Sequence, residues 1–145
     1  MDTWTDMASD ARRAAEADFD GGRYRACANR AYYAAYSVLT QALRNVPVDL
    51  SYGGNNPKHK RLPELVERCL TTIRDNDGRQ ARNTAAHERA NTRDILQRLY
   101  AIRLDADYYP AAQVDRKIAL TALYYMAMIF DFVSIRTSSR KGNEK

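Results

Sequence analysis

An all-α fold of about five helices is predicted by three observations. Apolar residues return every three or four positions in run after run, the period of helices with one buried face. Gly (6) and Pro (4) are few among 145 residues, whereas strands separated by frequent turns usually need more. Nine of the ten tyrosines fall in or at the end of three helical runs, at 24–36, 100–109 and 124–125. The length suits one domain with one core, here residues 1–136, followed by a polar tail, 137–145.

The first helix is expected from about Thr3 to Asp20. Trp4, Ala8, Ala11, Ala15 and Phe19 make one stripe, Asp2 or Thr3 can cap it, and Gly21-Gly22 ends it. The second runs from about Arg23 to Asn45. Its stripe is Tyr24, Cys27, Ala31, Ala35, Val38 and Ala42, widened by Ala28, Tyr32, Leu39 and Leu43. Two long helices joined by Gly-Gly read as an antiparallel hairpin. Val46 to Leu62 interrupts the pattern with Pro47, Gly53-Gly54, Asn55-Asn56 and Pro57.

A short third helix follows from about Pro63 to Arg74, striped by Leu62, Val66, Cys69 and Ile73 and stopped by Asp75-Asn-Asp-Gly78. Arg79 to Arg89 is polar and weakly patterned, either a loop or the frayed first turns of the next helix. Asn91-Thr92 offers an N-cap for the fourth helix, marked by Ile95, Leu99, Ile102 and Ala106 and ending near Tyr108. The fifth starts beyond Pro110, near Gln113, and ends near Arg136. From Ile118 to Ile135 its one charge is Asp131. A membrane span is rejected because Thr121, Tyr124, Tyr125, Asp131 and Ser134 lie within it, and because four other stripes need a partner. A helix apolar nearly all round is then a central core helix, or one shared with a second subunit.

The hydrophobic fraction of 45% and the charged fraction of 28% are those of a soluble globular protein. Cys27 and Cys69 lie far apart without CxxC spacing, and Met1-Asp-Thr-Trp-Thr-Asp6 has neither a basic nor an apolar signal region. A reduced, cytoplasmic setting is expected. The net charge of +5 is compatible with a polyanionic partner and equally with plain solubility. GxxxxGK[ST], HExxH and GxSxG motifs are absent, and two histidines leave little room for a metal centre, so no metal or cofactor is expected.

Candidate nucleic-acid contacts fall in three places. Lys58, His59, Lys60 and Arg61 form a basic run before a helix start, which suits phosphates or a solvated loop; His59 has no partner at metal-ligand or triad spacing. Arg30 and Tyr33 share a line on the second helix, where aromatic packing with the hydroxyl at water is the simpler account. Arg103 and Asp107, four apart, share a face at the end of the fourth helix. That last pair reads either as a site or as a structural ion pair.

Three segments carry a family resemblance: Gly22-Arg-Tyr-Arg-Ala-Cys-Ala-Asn-Arg-Ala-Tyr-Tyr-Ala-Ala-Tyr36, Asn56-Pro-Lys-His-Lys60 and Leu99-Tyr-Ala-Ile-Arg-Leu-Asp-Ala-Asp-Tyr108. Together they resemble the HEPN family, over roughly residues 8 to 136, in a small prokaryotic branch with NRAYYA and LR..ADY motifs. The resemblance implies an all-α, up-and-down helical bundle, here of four to five helices, that usually dimerises. It also implies metal-independent ribonuclease or RNA-binding activity in toxin–antitoxin or phage-defence systems, often beside a nucleotidyltransferase-like partner. The alternative it allows is a non-catalytic module that binds a nucleotide, nucleic acid or such a partner.

The family's active motif is an arginine, usually a polar residue, three more residues and a histidine, just before the last helix. On this chain Arg103 matches, Leu104 replaces the polar residue and Tyr108 replaces the histidine. Arg103 can hold a scissile phosphate. Tyr108 can stack on a base or donate a hydrogen bond, but with a reference pKa of about 10 it exchanges protons poorly near neutrality. Arg82-Asn-Thr-Ala-Ala-His87 fits the motif literally, about twenty residues early. Loop placement of Arg79 to Arg89 can bring Arg82 and His87 near Arg103, as a secondary pair. His87 or Tyr108 is then the expected proton-transfer group. Five residues along a helix turn through about 140°, so Arg103 and Tyr108 face one way only if the helix ends between them or a second subunit completes the site.

Overall fold

The structure, a computed structural model, describes residues 3–46, 58–70 and 73–142, with side chains 73–74 and 135–142 left out. The turn formers Pro47 to Pro57 lie outside the described residues. Five α-helices and one 3₁₀ turn (Ile73–Asn76) make an all-α bundle with no strand among the described residues.

Helix α1 (Trp4–Asp20) opens on a capping box. The Thr3 hydroxyl accepts the Asp6 N–H, and the Asp6 carboxylate accepts the Thr3 N–H, each at 3.1 Å. It ends at Gly21; Gly22 then takes φ 75°, a left-handed turn residue that reverses the chain. Helix α2 (Tyr24–Arg44) returns along α1. Arg23 locks the corner, its Nε donating to Asp18 at 2.9 Å and its guanidinium to the Ala17 carbonyl at 3.3 Å.

Helix α2 is the centre of the bundle. It packs against α1, against α3 (Leu62–Cys69), against α4 (Arg79–Tyr108) and against α5 (Arg116–Gly142). Ala28, Ala31, Ala34, Ala35 and Ala42 are buried on it, and residues this small let several helices approach one axis. Tyr32, Leu39 and Leu43 fill the spaces between them.

The expectation that the most apolar helix is the central one is therefore corrected. Helix α5 buries one stripe, Ala119, Ala122, Met126, Ile129 and Phe132, and leaves Leu120 and Tyr124 at the surface. Residues Arg116–Ser134 have the length and mean hydropathy (1.3) of a membrane span, yet that stripe sits in the core. Its N-cap is Asp115, which accepts the Ile118 N–H at 3.0 Å. The helix continues to Gly142, beyond the expected end near Arg136, because Thr-Ser-Ser-Arg-Lys holds no breaker.

The other boundary corrections lie between α3 and α4. Extended Leu70 ends α3 early, and the 3₁₀ turn follows. Helix α4 starts at Arg79 after Gly78 (φ 106°), so the whole polar stretch Arg79 to Arg89 is helical. Alanine, arginine and glutamine are strong helix formers, and Ala85 is fully buried. Thr92 is not a cap; its hydroxyl donates back to the Glu88 carbonyl at 2.8 Å in mid-helix. Arg89 binds both Asp75 oxygens, at 2.9 and 3.1 Å, and Arg93 reaches Glu67 at 2.5 Å, fixing the new turns to the 3₁₀ segment and α3.

Candidate functional site

Helix α2 presents Asn29, Tyr32, Tyr33 and Tyr36 at helical spacing toward α4, which presents Tyr100, Arg103 and Asp107 in return. At their centre is Arg103, a charged residue only 9% exposed. Its guanidinium donates to the Tyr33 hydroxyl at 2.9 Å. Its Nε lies 2.9 Å from Asp107 Oδ2, an ion pair whose N–H is not aligned for a hydrogen bond. Asn29 donates to the same Asp107 oxygen at 2.9 Å, so the carboxylate is held from both helices.

Aromatic faces close the rest of the cluster. The Arg103 guanidinium carbon lies 5.3 Å from the Tyr33 ring centre, 5.4 Å from Tyr108 and 5.9 Å from Tyr32, within cation–π range. Burial works against its charge, but the surrounding phenols and the Asp107 carboxylate outweigh that and hold its pKa above the ordinary value.

His59 enters from the turn before α3. The Lys58 carbonyl accepts the Arg61 and Leu62 N–H groups at 2.9 and 3.0 Å, which folds the basic run into the first turn of the helix. Lys58, Lys60 and Arg61 stay exposed, while His59 turns inward. Its Nδ1 is 2.7 Å from the hydroxyl of fully buried Tyr32. Its ring lies 4.6 Å from Tyr36, stacks on Tyr100 at 6.0 Å and meets Tyr33 edge-on at 5.8 Å. Burial first, and the Arg103 charge second, push its pKa below the ordinary histidine value. Burial likewise pushes the Tyr32 phenol well up, so it stays protonated.

The structure thus brings Tyr33, His59, Arg103, Asp107 and Tyr108 together and separates the others. Helix α4 is continuous from Arg79 to Tyr108, which puts His87 about 24 Å and Arg82 about 32 Å along the axis from Arg103. Both are exposed and five residues apart on one helix, so no loop brings them near Arg103 within the chain. Arg30 faces α1 instead, its Nε 3.7 Å from Asp18. The helix does not end between Arg103 and Tyr108. The long arginine side chain reaches the Tyr108 ring despite the angular offset, and Tyr108 itself is 61% exposed.

Asn29, Tyr32, Tyr36 and Tyr100 complete the cluster, and the sequence pattern does not by itself mark them as site residues. Tyr32 lies on the core stripe of its helix and is fully buried; that it also carries a hydrogen bond to His59 is invisible in spacing. Tyr100, three residues before Arg103, had a readable signal in the i, i+3 rule.

Chemically, a guanidinium can neutralise a phosphate, a neutral imidazole can take a proton, and an exposed phenol ring offers a stacking face. The class of fold is an all-α helical bundle. The family model described as HEPN domain matches residues 1–136, and the chain belongs to the HEPN family. Comparison with curated proteins finds no match. Membership points to nucleic-acid-binding or ribonuclease-type function in general. HEPN domains commonly dimerise, and the family is generally soluble.

Proposed function

We propose that this protein binds single-stranded RNA and cleaves it without a metal, with Arg103 as the phosphate anchor. The carrying observation is the Arg103 cluster. A guanidinium held by Asp107 and Tyr33 has its geometry set before a ligand arrives, which is what transition-state charge stabilisation needs. Exposed Lys58, Lys60 and Arg61 supply cations at the rim, and Tyr108 a stacking ring. Asp107 orients Arg103 rather than touching RNA, since a carboxylate repels phosphate.

A homodimer through α5 belongs to this reading. Leu120 and Tyr124 are 47% and 65% exposed, and with Leu123 and Tyr125 they line an apolar groove of about 660 Å³. A toxin or defence role with a nucleotidyltransferase-like partner fits the family context.

The test is incubation of purified protein with RNA in EDTA, beside Arg103→Ala. We expect cleavage by the wild type and a loss of at least about 100-fold in the variant. Equal cleavage by both removes Arg103 from the site. A second reading is favoured by the small exposure of Arg103 and by its existing partners: a non-catalytic module that binds nucleic acid or a nucleotide. RNA binding without any cleavage would select it.

A further inference from the structure

The family motif asks for a histidine five residues after the arginine, and this chain has Tyr108 there. A different histidine, His59, packs against the same tyrosines as the arginine. His59 and Arg103 flank the same two rings: the imidazole centre lies 5.4 Å from Tyr32 and 5.8 Å from Tyr33, and the guanidinium carbon 5.9 and 5.3 Å from them. We propose that His59 is the proton-transfer residue of the Arg103 site, acting on the ribose 2′-hydroxyl beside the scissile phosphodiester of an RNA strand. This rests on the ribonuclease reading above and adds to it the group that Tyr108 cannot replace.

Three features separate His59 from a ring that merely packs. First, its Nδ1 is engaged by Tyr32, a fully buried residue whose position is fixed by the core. A base whose other nitrogen is held by a rigid partner is oriented for catalysis. Second, the ring is fixed on several sides, by Tyr36, Tyr100 and Tyr33, so it has one orientation. Third, it lines a cleft of about 340 Å³ with Trp4, Tyr33, Tyr36 and Ser37. Tyr33 is both a wall of that cleft and the acceptor for Arg103, so the cleft adjoins the phosphate anchor. Its aromatic walls suit a nucleobase next to the anchored phosphate.

The reactive tautomer has Nδ1–H donating to the Tyr32 oxygen, which leaves Nε2 as the acceptor. Nε2 takes the 2′-hydroxyl proton, O2′ bonds to phosphorus, and the P–O5′ bond breaks. O5′ takes a proton from water, and the imidazolium returns its proton to the hydroxide so formed. The products are a 2′,3′-cyclic phosphate and a 5′-hydroxyl end; nothing is oxidised or reduced. The groups facing the imidazole are Tyr32, Tyr33 and Tyr36 from α2 and Tyr100 and Arg103 from α4, with Trp4 on the α1 side and Lys58 and Lys60 adjacent in the chain. Arg103 is the cation among those from the helices, and it favours the neutral imidazole that a base requires.

The experiment compares wild type, Arg103→Ala, His59→Gln, His59→Ala with and without added imidazole, and Tyr32→Phe on one single-stranded RNA in EDTA. Product ends are analysed and rates measured across pH. We expect His59→Gln to bind RNA as the wild type does and to cleave it at least about 100-fold more slowly. Imidazole should restore part of the His59→Ala rate. The wild-type rate should fall along an acid limb whose midpoint lies below the ordinary histidine value, and Tyr32→Phe, a change at a positioning residue, should move that midpoint. His59→Gln cleaving within about twofold of wild type, while Arg103→Ala is inactive, overturns the role of His59 and leaves the ribonuclease reading standing. Loss in His59→Ala that imidazole does not restore assigns the ring to packing and also overturns it. If the variants fail to fold, the wild-type profile decides: no acid limb overturns the proposal. A wild type that cleaves nothing removes the ribonuclease reading and, with it, the role of His59.

Discussion

Arg103 and His59 illustrate how differently two polar side chains tolerate burial. The guanidinium keeps its charge by drawing Asp107 and Tyr33 around it. Asp107→Ala leaves that cation facing phenols alone, and urea unfolding should show a loss on the order of 1–3 kcal/mol. No change would mean that Asp107 contributes only a solvent-screened pair. The imidazole instead gives up its charge, since burial and then Arg103 lower its pKa. The unfolded chain, with a histidine pKa near 6.5, therefore binds more protons than the native state just below that pH. This part of the stability is present above about pH 6.5 and is lost as pH falls from there toward the lower folded value. The urea midpoint should drop less between neutral and mildly acid pH in His59→Gln than in the wild type; parallel curves would contradict the assignment. Arg103, Asp107 and Tyr108 were legible as one cluster because they share one helix end. The place of His59 beside Arg103 was not. Its partners come from positions 27 residues before and 41 and 44 residues after it, and no spacing rule connects a turn residue to two helices that meet only in the fold.

Between elements, the junction from α4 to α5 has its own fastener. Arg25, in the first turn of α2, donates to the carbonyls of Asp105, Ala106 and Tyr109 at 3.2, 3.0 and 3.3 Å, to Pro110 at 3.0 Å and to Ala112. Carbonyls at a helix end have no partners within the helix, so one guanidinium caps the α4 terminus and shapes the turn after it. Arg25→Ala should cost about 1–3 kcal/mol and speed amide exchange over 105–112 while leaving α1 protected. Uniform exchange across the chain would deny it this local role. Helices α1 and α2 were readable because their stripes, the Thr3 box and the Gly21-Gly22 turn all agree. The first turns of α4 were not, because they are held by Arg89 to Asp75 and Arg93 to Glu67. Those are polar contacts between segments, and they leave no apolar period in the sequence.

At the level of the molecule, the order of burial explains both what is finished and what is open. Helix α2 is small enough in its side chains to sit among four others. Helix α5, richer in large apolar residues, is pushed to the outside, where 28% of its apolar window is buried. Hydropathy alone ranked them the other way because it does not register side-chain size. A groove lined by Leu120, Leu123, Tyr124 and Tyr125 is the apolar surface this packing leaves behind. Burying it against a second copy gains about 25 cal/mol for each Å² of apolar area removed from water, and exposed aromatic and aliphatic side chains are the residues that dominate such contacts. Glutamate in place of Tyr124 would put a charge in the middle of that contact, where desolvation works against association. Sedimentation of the wild type should therefore show a dimer that dissociates on dilution, and Tyr124→Glu a monomer with the same helical content. A wild type that stays monomeric at high concentration rules this face out. A variant that remains dimeric places the interface elsewhere, with Tyr124 outside it.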